Sequence, residues 1–235
     1  IMSPDLQQFA FKFDSTYPIS IHAEGAPKEQ NLTMHHGTGD LRVDLVRQRL
    51  CLRSAAENVS RGIPTVESTV LYLGDLGRLY AYTRMADTGF SQCWVLLFKQ
   101  ALRFPEGDPR RNPFARSRED GHVFLLDGQQ TTKYGLKLDE TQQVAFYVDD
   151  ISGELAAIRL DDLAGDLSAR VLPVSEWSTA PIHASWFEPA ATWDCQELPL
   201  EGDMNTMHLS EWNLIRTFLP QNTQVPQTAR RLFAV

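Results

Sequence analysis

The sequence predicts a mostly β fold, one antiparallel sheet of short strands in up-and-down order, with a single helix near the C terminus. Three observations predict it. Apolar residues recur at every second position through much of the chain, turn-forming residues separate these runs, and a helical apolar period occurs once.

Taken in order, Leu41, Val43 and Leu45 alternate with Arg42 and Asp44, and Leu50 and Leu52 alternate with Arg49, Cys51 and Arg53. Alternation with period two means that one strand face is buried and the other wet. The polar break Arg47-Gln48 makes the two runs neighbours in a meander. Thr69, Leu71 and Leu73 alternate with Val70 and Tyr72. Gly74-Asp75-Leu76-Gly77 then turns the chain, and Arg78 to Arg84 returns. Two glycines around an aspartate supply the positive φ angles such a turn needs.

Cys93 to Leu102 is apolar on both faces and reads as a central strand covered on both sides, with a short buried helix as the alternative. Phe104 to His122 carries Pro105, Pro109 and Pro113 among arginines and acids, and reads as a long surface loop. Strands resume at Thr131 to Leu138, Gln142 to Val148 and Glu154 to Leu160. The last two flank the turn sequence Asp149-Asp150-Ile151-Ser152-Gly153. Leu167 to Ser175 and Ile182 to Phe187 are further candidates. Met207 to Leu219 is the helix, with Leu209, Trp212, Leu214, Ile215 and Phe218 on one face and Pro220 ending it. About ten strands result, and a twisted sheet that wide closes into a barrel or curls into a half-barrel.

Composition fits a globular chain, with 43% hydrophobic and 22% charged residues. No long linker or composition break divides it, so one domain is the simpler reading. The net charge of −8, without a basic stripe, argues against nucleic-acid partners and anionic membrane surfaces. No apolar run approaches the ~20 residues of a transmembrane helix. The opening Ile1-Met2-Ser3-Pro4 has no signal-peptide character, a trait shared by trimmed mature chains. Cys51, Cys93 and Cys195 are too widely spaced for a zinc knuckle or a Cys-x-x-Cys site. Their odd number leaves at least one thiol free or intermolecular, and three buried thiols in a reducing compartment remain open.

The search for chemistry finds no catalytic constellation. Asp87-Thr88-Gly89 resembles half of an aspartic-protease pair, but no second copy exists and only a homodimer would supply it. A turn is the simpler reading. Gly89-Phe90-Ser91-Gln92-Cys93 lacks the second glycine of a nucleophile elbow. His35 and His36 are adjacent and on a strand face opposite ways. Asp149-Asp150 and Asp161-Asp162 lack a calcium-loop pattern and read as solvated turns. No phosphate-binding glycine loop is present, so neither metal nor cofactor is expected. Asn31-Leu32-Thr33 and Asn58-Val59-Ser60 match the N-glycosylation acceptor pattern at Asn31 and Asn58.

Several blocks, in order, resemble the ependymin-related branch of the lipoprotein-carrier-like (LolA-like) superfamily. They are Arg47-Gln48-Arg49-Leu50-Cys51-Leu52, then Leu71-Tyr72-Leu73 through Leu79-Tyr80-Ala81-Tyr82, followed by Thr88 and Cys93. Phe146-Tyr147-Val148-Asp149 follows, with Gly153 and Leu155 to Leu160, and then Phe187-Glu188-Pro189 leading through Trp193 to Cys195. The resemblance covers roughly Tyr17 to Cys195. It implies a half-barrel meander whose concave face holds an apolar ligand, a secreted or lumenal location, and disulfides, with Cys93 pairing Cys195. Cys51, between Arg49 and Arg53, is then the unpaired thiol, and the neighbouring arginines are expected to lower its pKa and make it reactive. The chain departs from the family in its fewer cysteines, in the arginine-rich insertion at Phe104 to His122, and in forty residues past Cys195.

The resulting expectation is a half-barrel domain over 1–195 and an extension over 196–235 whose short helix packs on the same domain. Its function is expected to be a non-catalytic carrier or receptor for a hydrophobic small molecule or lipid. The candidate liners are Leu71, Leu73, Leu79, Ala81, Val95, Leu97, Phe146 and Val148. The bland alternative is that these residues pack a core, against the helix around Trp212. The rival function is a structural or adhesive extracellular protein with a filled core. The sequence leaves a homodimer or larger assembly open.

Overall fold

The computed structural model describes residues 6–20, 32–58, 63–97, 108, 111–138, 142–162, 170–197 and 212–218. Its architecture is one open, curved sheet of twelve strands, as the alternation predicts. The first meander comprises β1 (Gln8–Ser20), β2 (Leu32–Asp44), β3 (Arg49–Asn58), β4 (Ile63–Leu73), β5 (Arg78–Met85) and β6 (Ser91–Leu97). A four-residue helix, α1 (Pro113–Arg116), leads into the second. That meander is β7 (Arg118–Phe124), β8 (Gln130–Lys137), β9 (Gln142–Asp149), β10 (Leu155–Asp162) and β11 (Arg170–Ser178). Antiparallel pairing of β1 with β11 merges the two. The short β12 (Cys195–Glu197) adds to β6 in parallel, and helix α2 (Trp212–Phe218) follows. Among the described residues no helix is long and apolar enough to cross a membrane.

Cross-strand register sorts the side chains onto two faces. Phe11, Leu41, Leu52, Val70, Ala81 and Trp94 lie in one row, and Phe9, Val43, Leu50, Tyr72, Leu79 and Leu96 in the next. Both rows belong to the main core. Strands of the second meander extend it through Leu136, Val144, Phe146, Ile158 and Leu172. The face is concave. In a flat sheet β1 and β9 lie three strand spacings apart, roughly 14 Å. Here the Phe114 ring sits 5.3 Å from Phe9 and 4.8 Å from Phe146, so those two rings are at most about 10 Å apart.

Two local devices keep this face continuous. Gly39 lies under the Phe13 ring, which occupies the space a Cβ would need. In β11 an irregularity in pairing coincides with Glu176 at φ 51°. The alternation of Leu172 and Val174 therefore slips by one, and Trp177 still reaches the core to stack on Phe9 and Phe11.

Several expectations are corrected. β1 falls outside the runs read above, although Phe9, Phe11 and Phe13 alternate with Ala10 and Lys12. β6 ends at Leu97 within the described residues and lies next to the sheet edge, covered only by β12, with Leu97 49% exposed. The Phe104 to His122 stretch is not simply a surface loop. Its described part forms α1, which sends Phe114 fully into the core, and the edge strand β7. Asn112 caps α1 by accepting from the Phe114 amide at 3.0 Å, and Pro113 suits the first helical position. Ile182 to Phe187 is not a strand. It ends in a 3-10 turn over Ala184–Phe187, capped by His183. Within the described residues the C-terminal helix runs only from Trp212 to Phe218, and Met207 and Leu209 lie outside them.

Candidate functional site

Among the described residues the concave face is the one extended apolar surface that both meanders share, and it is covered. Leu214, Ile215 and Phe218 of α2 are buried in it, and Phe218 lies 5.5 to 6.3 Å from the rings of Phe9, Phe11, Phe114 and Phe146. Beside Phe218, a depression lined by Val43, Leu50, Tyr72, Arg49 and Arg111 leaves only about 10 Å³ free, room for roughly one water. Ligand pockets are commonly ~300–1,000 Å³. In this conformation the side chains of α2 occupy the space over the concave face.

The eight sequence-predicted liners divide between the two faces. Leu79, Ala81 and Phe146 lie in the concave core, and Val148, two residues on from Phe146 and 7% exposed, shares its side of β9. Leu71, Leu73 and Val95 lie on the other face, and Leu97 shares a register row with Leu73 there. Leu73 pairs with Arg78 across a four-residue turn, so odd positions of β4 share a face with even positions of β5. Leu71 therefore faces with Tyr80, and Val70 with Ala81. Sequence reasoning missed Phe114, the ring that bridges β1 and β9. Its signal was a good one: Asn-Pro-Phe, a cap, a first-turn proline and an apolar residue.

The outer face has its own cover. The chain from Ile182 to Cys195 lays Ile182, Trp186, Phe187 and Trp193 against Cys51, Leu71, Leu73 and Tyr80. Trp186 sits between the Arg42 and Arg53 guanidiniums, 3.5 and 3.7 Å from its ring centre, and Trp193 stacks on Tyr82 at 4.8 Å. A disulfide joins Cys93 to Cys195 where β12 meets β6, with the Cα atoms 4.4 Å apart. The pairing that the family resemblance implies is present.

Cys51 is the free cysteine, and its expected reactivity is reversed. It is 1% exposed beneath the Phe187 cover, and burial pushes its thiol up to about 11. The charge and hydrogen bond of Arg53 pull the other way and lose. Sequence adjacency to arginine was visible, but the cover was not. Native protein should therefore resist thiol alkylation at pH 8, with one equivalent labelled after unfolding without reductant. The folded state holds the Cys51 proton to about 11 and the reference thiol releases it near 9.0. The stability this burial provides is thus present below pH 9 and lost as pH rises through about 11. Fast labelling of the native protein would contradict the burial.

The polar motifs resolve into turns. Asp87 accepts from the Thr88 amide at 2.7 Å in an exposed bend with Gly89 at φ 69°. Asp149 accepts from the amides of Ser152 and Ile151 and from the Gln129 side chain. The Ser152 amide is the strongest of the influences that hold its carboxyl at about 2. Thr132, His122 and Asp150 form a triangle that resembles a catalytic triad. However, Thr132 Oγ1 and Asp150 both meet the same His122 nitrogen, Nδ1, so no relay runs through the ring. Among the described residues no cluster of three His, Cys, Asp or Glu could hold a metal. Asn31 lies outside the described residues, as do the side chains of Asn58, Asp161 and Asp162.

The described residues thus form a curved sheet of twelve strands whose concave face is covered by α1 and α2. No known protein family and none of the curated proteins matches the sequence. Among solved structures it is similar to an uncharacterized conserved protein from Thermus thermophilus. That likeness has 9% identity and a TM-score of 0.45, and covers 83% of this chain and 93% of the other. A more distant neighbour is a LolA superfamily protein from Nitrosomonas europaea, at 15% identity and a TM-score of 0.29, covering 79% and 91% of the two chains.

Proposed function

We propose that the protein is a non-catalytic carrier or receptor for a hydrophobic molecule, a lipid by class, bound on the concave face where α2 now lies. One observation carries this reading. An apolar face built from both meanders is covered by side chains of α2, not by strand pairing. The described part of α2 covers it with three apolar side chains. Leu214, Ile215 and Phe218 contribute about 1.5–3 kcal/mol each on full burial. An acyl chain burying about ten methylenes gains about 8 kcal/mol at ~0.8 each. The two are of the same size, so exchange of helix for ligand is energetically accessible. Leu79, Ala81, Phe146 and Val148 would then line the groove.

The sequence blocks quoted above support an ependymin-related, LolA-like origin, and the disulfide supports a secreted or lumenal compartment with glycans at Asn31 and Asn58. A second reading, a structural or adhesive protein with a permanently filled core, is favoured by the burial of Leu214, Ile215 and Phe218 in α2.

A neutral fluorescent probe, N-phenyl-1-naphthylamine, separates the two. The carrier reading expects saturable, micromolar binding, several-fold tighter in Phe218→Ala because the internal competitor is weakened, with thermal melts confirming that the variant is folded. The filled-core reading expects Phe218→Ala to lose stability and neither protein to bind.

A further inference from the structure

We infer that the ligand of the concave face is a long-chain carboxylate whose head group is held by Arg116, in the place now taken by the Thr217 carbonyl of α2. The inference rests on the carrier reading and adds the chemistry of the head group.

Arg116 closes α1, two residues after the fully buried Phe114, so its position is tied to the floor of the groove. Its Nη2 donates to the Thr217 carbonyl at 3.3 Å. Thr217 belongs to α2 and is itself fully buried, so this carbonyl meets the guanidinium inside the covered face. The described part of α2 thus sets an apolar body, Leu214, Ile215 and Phe218, beside a carbonyl oxygen that meets the guanidinium. The guanidinium is poorly served by this arrangement. Its Nε is buried with no hydrogen-bond partner. Among the described residues no carboxylate pairs with it, and burial alone lowers its pKa. Other arginines around the sheet differ. Arg49 is held in a two-pronged pair with Asp75, and Arg42 with Asp40.

Nε and one Nη of a guanidinium lie on one edge and form the fork that a carboxylate meets with two parallel hydrogen bonds. A fatty-acid head entering here replaces one long bond to a neutral carbonyl by two bonds to a charged acceptor and satisfies the idle Nε–H. The chain would follow the row that α2 vacates, past Phe218's present partners Phe9, Phe11 and Phe146.

The test compares oleate with oleyl alcohol, which share a chain and differ in head group, on the full-length protein by displacement of N-phenyl-1-naphthylamine at pH 8. Wild type should prefer oleate by about 10- to 100-fold. Arg116→Gln should bring the ratio to about one, and Arg116→Lys should leave it in between, since the charge stays but the fork is lost. Using the ratio removes any common gain from a loosened α2. Equal affinities in wild type, or a ratio unchanged in Arg116→Gln, would overturn the head-group inference while leaving the carrier reading in place. Hexadecyl phosphate binding more than tenfold tighter than oleate would replace the carboxylate by a phosphate. Binding of no probe by any variant would sink both readings.

Discussion

Replacing Cys93 and Cys195 together by serine should lower the unfolding free energy by about 2–5 kcal/mol, the range for loss of a single native bridge. The bridge closes a loop of 102 residues. In the chain-entropy account a loop of about a hundred residues restricts the unfolded state by up to ~4.7 kcal/mol. The native state also loses an anchor, because within the described residues β12 pairs with β6 at three positions and the covering segment leads into it. For a chain of this length each kcal/mol moves Tm by about 2–4 °C, so a drop on the order of 10 °C is expected. Wild type in excess dithiothreitol should behave as the double variant does. The concave core contains neither cysteine, so far-UV circular dichroism at 20 °C should still report a sheet. A Tm unchanged within error in both the variant and the reduced wild type would mean that the bridge does not constrain the fold.

Phe9→Ala should cost about 3–5 kcal/mol, the range for a fully buried aromatic that leaves a cavity. Phe9 is 0% exposed and lies within 6.3 Å of four other aromatic rings: Phe11, Phe114, Trp177 and Phe218. Those rings come from β1, α1, β11 and α2, so one truncation weakens the joint between the two meanders and the seat of the helix together. Phe124→Ala is the control. Its ring is 70% exposed on the edge strand β7, and its loss should stay within ~0.5 kcal/mol. Urea midpoints of both variants decide the matter. Equal shifts would contradict the assignment of Phe9 to the joint. The effect of Phe9→Ala on hydrophobic-probe binding is a further reading, since emptying the seat of Phe218 weakens α2 as a competitor.

The sequence by itself determined the strand character of most of the chain, the hairpin at Gly74 to Gly77, the turn after Asp149 and the single C-terminal helix. These are local properties. Period two fixes that a strand has two faces, and glycine or aspartate at a bend fixes where it reverses. Phe9, Phe11 and Phe13 carried the same signal, so β1 was legible and was overlooked. The Cys93–Cys195 pairing entered through family resemblance, and nothing local specifies it.

Only the tertiary structure decided which face is which. Val70-Leu71-Tyr72-Leu73 is apolar at every position, so its alternation has no polar phase to orient it. The groove was assigned to Leu71 and Leu73, whereas register places Val70 and Tyr72 there. Burial of Cys51 was likewise set by residues 136 positions away in sequence, at Phe187, whose covering role no local pattern announces. The same holds for the groove itself. Phe114 sits among prolines and arginines, and Arg116 beside it reads as one surface charge among many. Their meaning arises when β1 and β9 curl toward each other and α2 docks between them, because burial depends on which distant surfaces meet and not on local period.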